Sequence, residues 1–260
     1  IHEVQSLTSK GVKEFQLIAQ DLSYYGADLY KSLKLPELVE RLSDIPGVEW
    51  IRLHYAYPAQ FPYDLLKVMR ERDNVCKYLD IALQHISDKM LKVMRRNFTK
   101  QETIELIETI RKEVPGIHIR TTMLLGHPGE TEDDVEELKK FIKQTRFERL
   151  GAFAFSNEEG TYAFENYLDN IPEEEKLRRV DEIMAIQQKI SAEINQTKIG
   201  KRLKVIIDRQ EGENFIGRTE FDSPEVDPEV IISANVQGIE IGQFYLAEIV
   251  DADEYDLYAK

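Results

Sequence analysis

Five short apolar runs recur along the first two-thirds of the chain: Phe15 to Ala19, Trp50 to Tyr55, Tyr78 to Leu83, His118 to Leu125 and Leu150 to Phe155. They begin 28 to 40 residues apart, and a polar stretch with helical spacing fills each interval. A continuous run of aliphatic and β-branched residues is the mark of a strand buried on both faces, and parallel neighbours need a crossover helix between them. The pattern therefore predicts repeated βα units of an α/β fold, with helices near 2–11, 35–43, 62–72, 99–113, 131–145 and 173–195. Pro36 and Pro62 stand at helix-opening positions, where a missing N–H is harmless. After Gly200 the pattern changes to short runs at 203–207, 214–219, 230–232, 244–250 and 255–258, divided by Gly, Pro and Asp. These predict a small antiparallel barrel of five strands. The boundary is expected near 197, giving units 1–196 and 197–260.

The stretch from Arg120 to Thr131 is the most informative local pattern. A buried strand leads into Gly126-His127-Pro128-Gly129 and then into Glu130-Thr131, which opens a charged helix. At such a junction the free N–H groups of a helix start lie at the positive end of its dipole, and glycine lets a ligand approach the main chain. An isolated turn of this kind is also an ordinary βα connection, so its meaning depends on its neighbours. Gln20 and Asp21 follow the first run, and Gln84 and His85 follow the third, each at a strand's carboxyl end, where open α/β barrels keep their ligand contacts. Asp21 serves equally well as a turn cap. Arg120 lies inside a strand and needs a carboxylate partner, supplied by a ligand or by a salt bridge. Tyr24, Tyr25, Tyr55 and Tyr57 flank strand ends and suit a substrate mouth or simple packing.

Composition narrows the chemistry. The 260 residues, 42% of them hydrophobic, suffice for a sizeable core, and no apolar run approaches the ~18 residues of a membrane span, which points to a soluble protein. The single cysteine, Cys76, reads as a buried thiol; it forms no internal disulfide, which fits a reducing cytoplasm, and alone holds neither zinc nor an iron–sulfur centre. The five histidines lack spaced partners, so no metal ligands are expected. A net charge of −14 argues against a protein that chiefly grips phosphate backbones and favours a basic partner, although solubility explains it about as well. The chain begins Ile1-His2-Glu3, without an initiator methionine, and enters a helical pattern at once, as expected of a piece of a larger protein.

Taken in order, several motifs resemble the methylthiotransferases of the radical S-adenosylmethionine superfamily, and within them the type that acts on a ribosomal protein. The matching stretches are 17–21 with Tyr25-Gly26, 53–58, Tyr78-Leu79-Asp80-Ile81-Ala82-Leu83-Gln84-His85, Met94-Arg95-Arg96, Arg120-Thr121-Thr122, Gly126 to Thr131 and Glu158-Glu159-Gly160-Thr161. Gly217-Arg218-Thr219 and Ser223-Pro224-Glu225-Val226-Asp227 resemble the family's TRAM domain. Ala82 stands where the family usually has proline, and His127 where it usually has phenylalanine. The resemblance implies a partial TIM-like radical SAM barrel that lacks its first strand and cluster loop, followed by a TRAM barrel. It implies S-adenosylmethionine as cofactor and two [4Fe-4S] clusters in the whole protein, whose cysteine ligands this chain does not carry. Gln20, Asp21, Gln84, Arg120, Gly126, Pro128, Gly129 and Glu130 become the expected cofactor-binding residues.

The reaction implied is reductive cleavage of S-adenosylmethionine to a deoxyadenosyl radical, hydrogen removal from an unactivated carbon, and insertion of a methylated sulfur. The implied acceptor is the β-carbon of an aspartate on the twelfth small-subunit ribosomal protein. No acid–base pair is required, so no catalytic residue is nominated. The sister activity on a tRNA adenosine is the alternative, and a non-catalytic scaffold is a third reading. Charge separates the first two: residues 197–260 carry seven basic against fourteen acidic side chains, a net of −7. An acidic barrel steers a basic protein and repels RNA, and Glu225, Asp227 and Glu229, in a turn expected to be exposed, are the candidate docking residues.

Overall fold

The computed structural model describes residues 1–260. Its elements run α1 (His2–Thr8), β1 (Glu14–Leu17), α2 (Ala27–Tyr30), α3 (Leu35–Ser43), β2 (Trp50–Ala56), α4 (Asp64–Glu71) and β3 (Val75–Ile81). They continue with α5 (Asp88–Val93), α6 (Lys100–Glu113), β4 (His118–Leu125), α7 (Glu132–Thr145), β5 (Arg149–Ala154), α8 (Tyr162–Asn166) and α9 (Glu173–Gln196). The last five strands are β6 (Arg202–Glu211), β7 (Asn214–Thr219), β8 (Val230–Ser233), β9 (Phe244–Ala252) and β10 (Leu257–Ala259).

Strands β1 to β5 form one parallel sheet in sequence order, as βα repetition requires. Side chains alternate between its two faces. Along β4, Ile119, Met123 and Leu125 are buried among helix residues such as Leu106, Ile110, Leu138 and Ile142, in a core of 34 buried apolar residues. Arg120, Thr122 and Leu124 lie on the opposite face and are half-buried. That second face is polar, since Gln16, His54 and Asp80 share it. The helices α3, α4, α6 and α7 each present an apolar stripe to the sheet. Helix α6 is further fixed by a capping box in which Thr99 and Glu102 satisfy one another's backbone N–H groups.

The carboxy-terminal strands close into a barrel of order β10-β8-β7-β6-β9 around nine buried residues. Its pairings are antiparallel with one exception, the parallel contact of β10 with β8. The expected antiparallel barrel is therefore a mixed one, because β10 is a three-residue closing strand set between β8 and β9. Helix α9 ends at Gln196, just before it.

This barrel packs against the amino ends of the parallel strands. Arg52, fully buried on β2, donates from Nε to Glu14 (3.1 Å), from Nη1 to the Glu220 carbonyl (2.7 Å) and from Nη2 to that of Thr219 (3.3 Å). Arg218 forks onto Asp208 and Glu14, and Arg149 donates to Asp222. Trp50 meets Phe244 edge-on at 4.7 Å, and His118 stacks on Phe221 at 4.0 Å. Buried charges cost several kcal/mol each unless paired and hydrogen-bonded, and here every nitrogen of the three guanidinium groups has a partner. Burial pushes the Asp222 carboxyl up, but Arg149 and Lys198 outweigh it and hold the group well below the usual carboxylate range. Burial, with Arg149 nearby, lowers the Lys198 ammonium to about 8.

Two expected site residues belong to this interface. Arg120 sits near the amino end of β4 and pairs with Asp227, whose other oxygen accepts from the Tyr78 hydroxyl (2.7 Å) and the Ser223 amide (2.9 Å). The Asp227 side chain is 1% exposed. The carboxylate that Arg120 requires thus comes from the second unit, and the Asp227 carboxylate is buried where an exposed one was expected. Glu229 is held by Arg209 through both oxygens, whereas Glu225 is exposed and unpaired, at a left-handed φ of 67°.

Candidate functional site at the carboxyl ends of the parallel strands

With the amino ends sealed, the open end of the sheet is the carboxyl one. The strand β4 ends at Leu125, and the chain turns through Gly126 (φ 79°) and Gly129 (φ 88°), angles that suit glycine. The two glycines serve different purposes. A Cβ on Gly126 would lie 2.3 Å from Cγ of the buried Lys176, so there the close approach is between parts of the protein itself. A Cβ on Gly129 would meet nothing within 4 Å, and Gly129 is exposed, which leaves its main chain open to a ligand. Pro128 is buried beneath it.

Glu130 differs from the expectation. Its side chain is 0% exposed and turned inward, accepting from the Gly126 amide at 2.9 Å and from Arg179 of α9 at 2.8 Å. Its second oxygen lies 3.6 Å from Nε2 of the fully buried His85, and neither atom has a hydrogen-bond partner. Because Nδ1 of His85 accepts the Ile86 and Ser87 amides (2.9 and 3.0 Å), a neutral ring carries its proton on Nε2, facing Glu130. The Glu130 side chain is thus turned into the protein, where it shapes the turn. Lys176, which donates to Asp169 (2.7 Å) and the Phe155 carbonyl (3.3 Å), supports the same corner. Lys176 and Arg179 were missed in the sequence, where they look like two more charges on a charged helix; nothing local marks them as buried.

Gln84 lies beside this turn. Its backbone, at φ 70°, continues the sheet by accepting from the Leu124 amide and donating to the Thr122 carbonyl, both at 2.8 Å. No protein group bonds its side-chain amide, which is free for a ligand. Asp21 caps the turn at 22–24 by accepting from the Ser23 amide (3.0 Å), with one oxygen left over, and Gln20 is exposed. Tyr24, Tyr25 and Tyr55 are exposed around the same end, as is Phe153 of β5. The structure thus pairs Gln84 with the end of the strand that leads into the 126–130 turn, places Gln20 and Asp21 at the end of β1 on the same side, and leaves Arg120 near the opposite end of β4.

Residues 1–142, more than half of the chain, match the radical SAM superfamily. The chain belongs to that superfamily. Residues 199–260 match the TRAM domain, which corresponds to the closed barrel. Over all 260 residues the chain is 67% identical to the ribosomal protein uS12 methylthiotransferase RimO of Bacteroides thetaiotaomicron. It is 54% identical over 260 residues to the protein of that name from Cytophaga hutchinsonii. It spans 60% and 59% of the lengths of these two relatives. Among solved structures, the radical SAM enzyme coproporphyrinogen III oxidase (HemN) of Escherichia coli aligns with a TM-score of 0.58 at 11% identity, covering 84% of this chain and 57% of its own. Methylornithine synthase (PylB) aligns with a TM-score of 0.50 at 15% identity, covering 72% and 53%. Both likenesses are of fold.

The residues present differ in how they suit the two cofactors that radical SAM membership implies. No group of three or more His, Cys, Asp or Glu side chains is arranged to hold a metal. Cys76 lies buried in the domain interface at the opposite end, its thiol pushed up to about 12 by burial. A cluster does not fit on this chain's own residues. For S-adenosylmethionine the chain offers the exposed Gly129 main chain and the unpaired Gln84 side-chain amide, polar groups at neighbouring strand ends that suit its own.

Proposed function

We propose that the longer protein to which this chain corresponds transfers a methylthio group to the β-carbon of an aspartate of ribosomal protein uS12. The observation that carries this reading is 54% to 67% identity along the whole chain to relatives that all bear the name uS12 methylthiotransferase. When bound, S-adenosylmethionine supplies the radical that removes hydrogen from an unactivated carbon. The chain's own part is to bind and orient. The Gly129 main chain and Gln84 amide hold the cofactor's polar groups, with Gln20 near the first strand end. Glu130, Arg179, His85 and Lys176 keep the turn rigid, and the aromatic rim excludes water from the reacting carbon.

The net charge of −7 on residues 197–260 favours a basic ribosomal protein over tRNA, because like charge repels a phosphate backbone. Glu225 remains the exposed docking candidate of the three acidic residues, since both oxygens of Glu229 are engaged by Arg209. A cytoplasmic setting follows from the substrate, and no helix is long and apolar enough to cross a membrane. The test is anaerobic incubation of the cluster-loaded, full-length protein with S-adenosylmethionine and purified uS12. Mass spectrometry is expected to find one methylthio group on one aspartate. Modification of tRNA adenosine in place of uS12, or of neither by protein with intact clusters, overturns the reading.

A further inference from the structure

A second cavity opens at the same end of the sheet, displaced toward α4 and α6. It encloses about 560 Å³ between the turn at 21–24, the loop after β2 and the start of α6. Tyr24, Tyr57, Tyr63 and Phe98 supply aromatic faces and edges, with Tyr57 against Phe98 at 5.7 Å. The loop holds its shape through two left-handed residues, Tyr55 (φ 57°) and Gln60 (φ 60°). Among the lining residues are two carboxylates, Asp21 and Glu102, and no lysine or arginine.

Aromatic faces attract cations through their quadrupole, and a carboxylate beside them completes the match for a guanidinium or an ammonium. The protein already uses two of these rings in that way from outside the cavity: the Arg96 guanidinium, which does not line it, stands 4.7 Å from the Tyr57 ring centre and 5.6 Å from that of Phe98 while donating to the Ala82 carbonyl. The two carboxylates have capacity left. Asp21 uses one oxygen on the Ser23 amide, and Glu102 serves Thr99 through Oε2 alone. An anion would be repelled here, and a neutral apolar side chain would leave both carboxylates unpaired. The geometry points to a subsite for one basic side chain of the polypeptide substrate, arginine above all, bound while the neighbouring residues of that polypeptide reach the open strand ends. Asp21 belongs to the loop after β1, so the subsite and the cofactor-binding turn share one rim. This inference rests on the reading that the substrate is a basic protein.

The experiment uses the cluster-loaded full-length protein and two short fluorescein-labelled peptides, identical Gly/Ser/Leu frames that carry either arginine or its neutral isostere citrulline at the central position. Fluorescence anisotropy reports binding without turnover. The arginine peptide is expected to bind at least tenfold tighter. Asp21→Asn and Glu102→Gln are each expected to reduce that ratio, and the pair to abolish it; both retain the capping hydrogen bonds, so the fold is preserved. Glu136→Gln, on the exposed face of α7, is expected to leave the ratio unchanged. Equal binding of the two peptides by the parent, or a ratio that survives the double variant, overturns the subsite. Uptake of a methylthio group by uS12 with a ratio of one would remove the subsite and leave the proposed reaction standing. A tenfold ratio in protein that modifies no uS12 would do the reverse.

Discussion

Arg149, at the amino end of β5, spends its guanidinium on Asp222 and on the Glu148 carbonyl, whereas Gln84, at the carboxyl end of β3, has no protein partner for its side-chain amide. The contrast holds for the two ends as wholes. At the amino ends Arg52, Arg218, Arg120 and Arg149 meet carboxylates and carbonyls, and the closed barrel excludes water from them. At the carboxyl ends an exposed glycine, a free amide and tyrosine faces stay open. A charged residue inside a strand is thus a poor guide to a ligand site unless the end of the strand on which it sits is known. Unsatisfied main chain and amide groups mark the functional end better than charge does.

The largest effect is expected from breaking the sealed end. Asp222→Ala strands the buried Arg149 guanidinium and should cost about 3–5 kcal/mol, read as a lower urea midpoint. Glu225→Ala, at an exposed position of the same segment, should stay within about 0.5 kcal/mol. Comparable losses in the two would mean that the interface charges are not the fastening.

Acid should loosen the same end more gradually. Burial raises the Asp222 and Glu14 carboxyls, but Arg149 and Lys198 in one case, and Arg218 and Arg52 in the other, bring them below their ordinary values. Groups depressed on folding contribute stability that is complete above the unfolded carboxylate range, roughly pH 4, and is lost as pH falls through the folded values. Lys198 acts with the same sign at high pH. Its folded value of about 8 lies under the ordinary 10.5, so between these the unfolded chain holds more protons and stability rises with pH. Urea midpoints across pH check both arms; a midpoint unchanged down to pH 2 would contradict the acid arm.

A smaller effect on stability than that of Asp222→Ala is expected at the open end. Gly129→Ala meets no neighbour but must adopt φ 88°, at a cost of about 1–2 kcal/mol, so a folded variant should form and show weaker binding of S-adenosylmethionine by calorimetry in the loaded full-length protein. Unchanged affinity would make the turn purely structural. Gly126→Ala, which collides with Lys176, should destabilise more than Gly129→Ala does, separating the supporting glycine from the one open to ligand.

The sequence alone determined the local structure. The parallel strands could be read from their apolar runs, and β4 was placed to the residue at His118–Leu125, because a buried face alternating with a half-buried one leaves its pattern within a single segment. The start of β3 at Val75 was less legible, since the half-buried Lys77 interrupts the run, and α2, α5 and α8 are too short to show a periodicity. What only the tertiary structure decided is where each charge goes. Arg120 and Asp227 lie 107 residues apart, and their union depends on the closed barrel docking at the amino ends of the strands. The same holds for Lys176 and Arg179, whose burial depends on where α9 crosses the 126–130 turn. A hydrophobic pattern is written into consecutive residues because each strand or helix buries its own stripe. The partner of a buried charge is chosen by the packing of distant segments, and no window of sequence contains it.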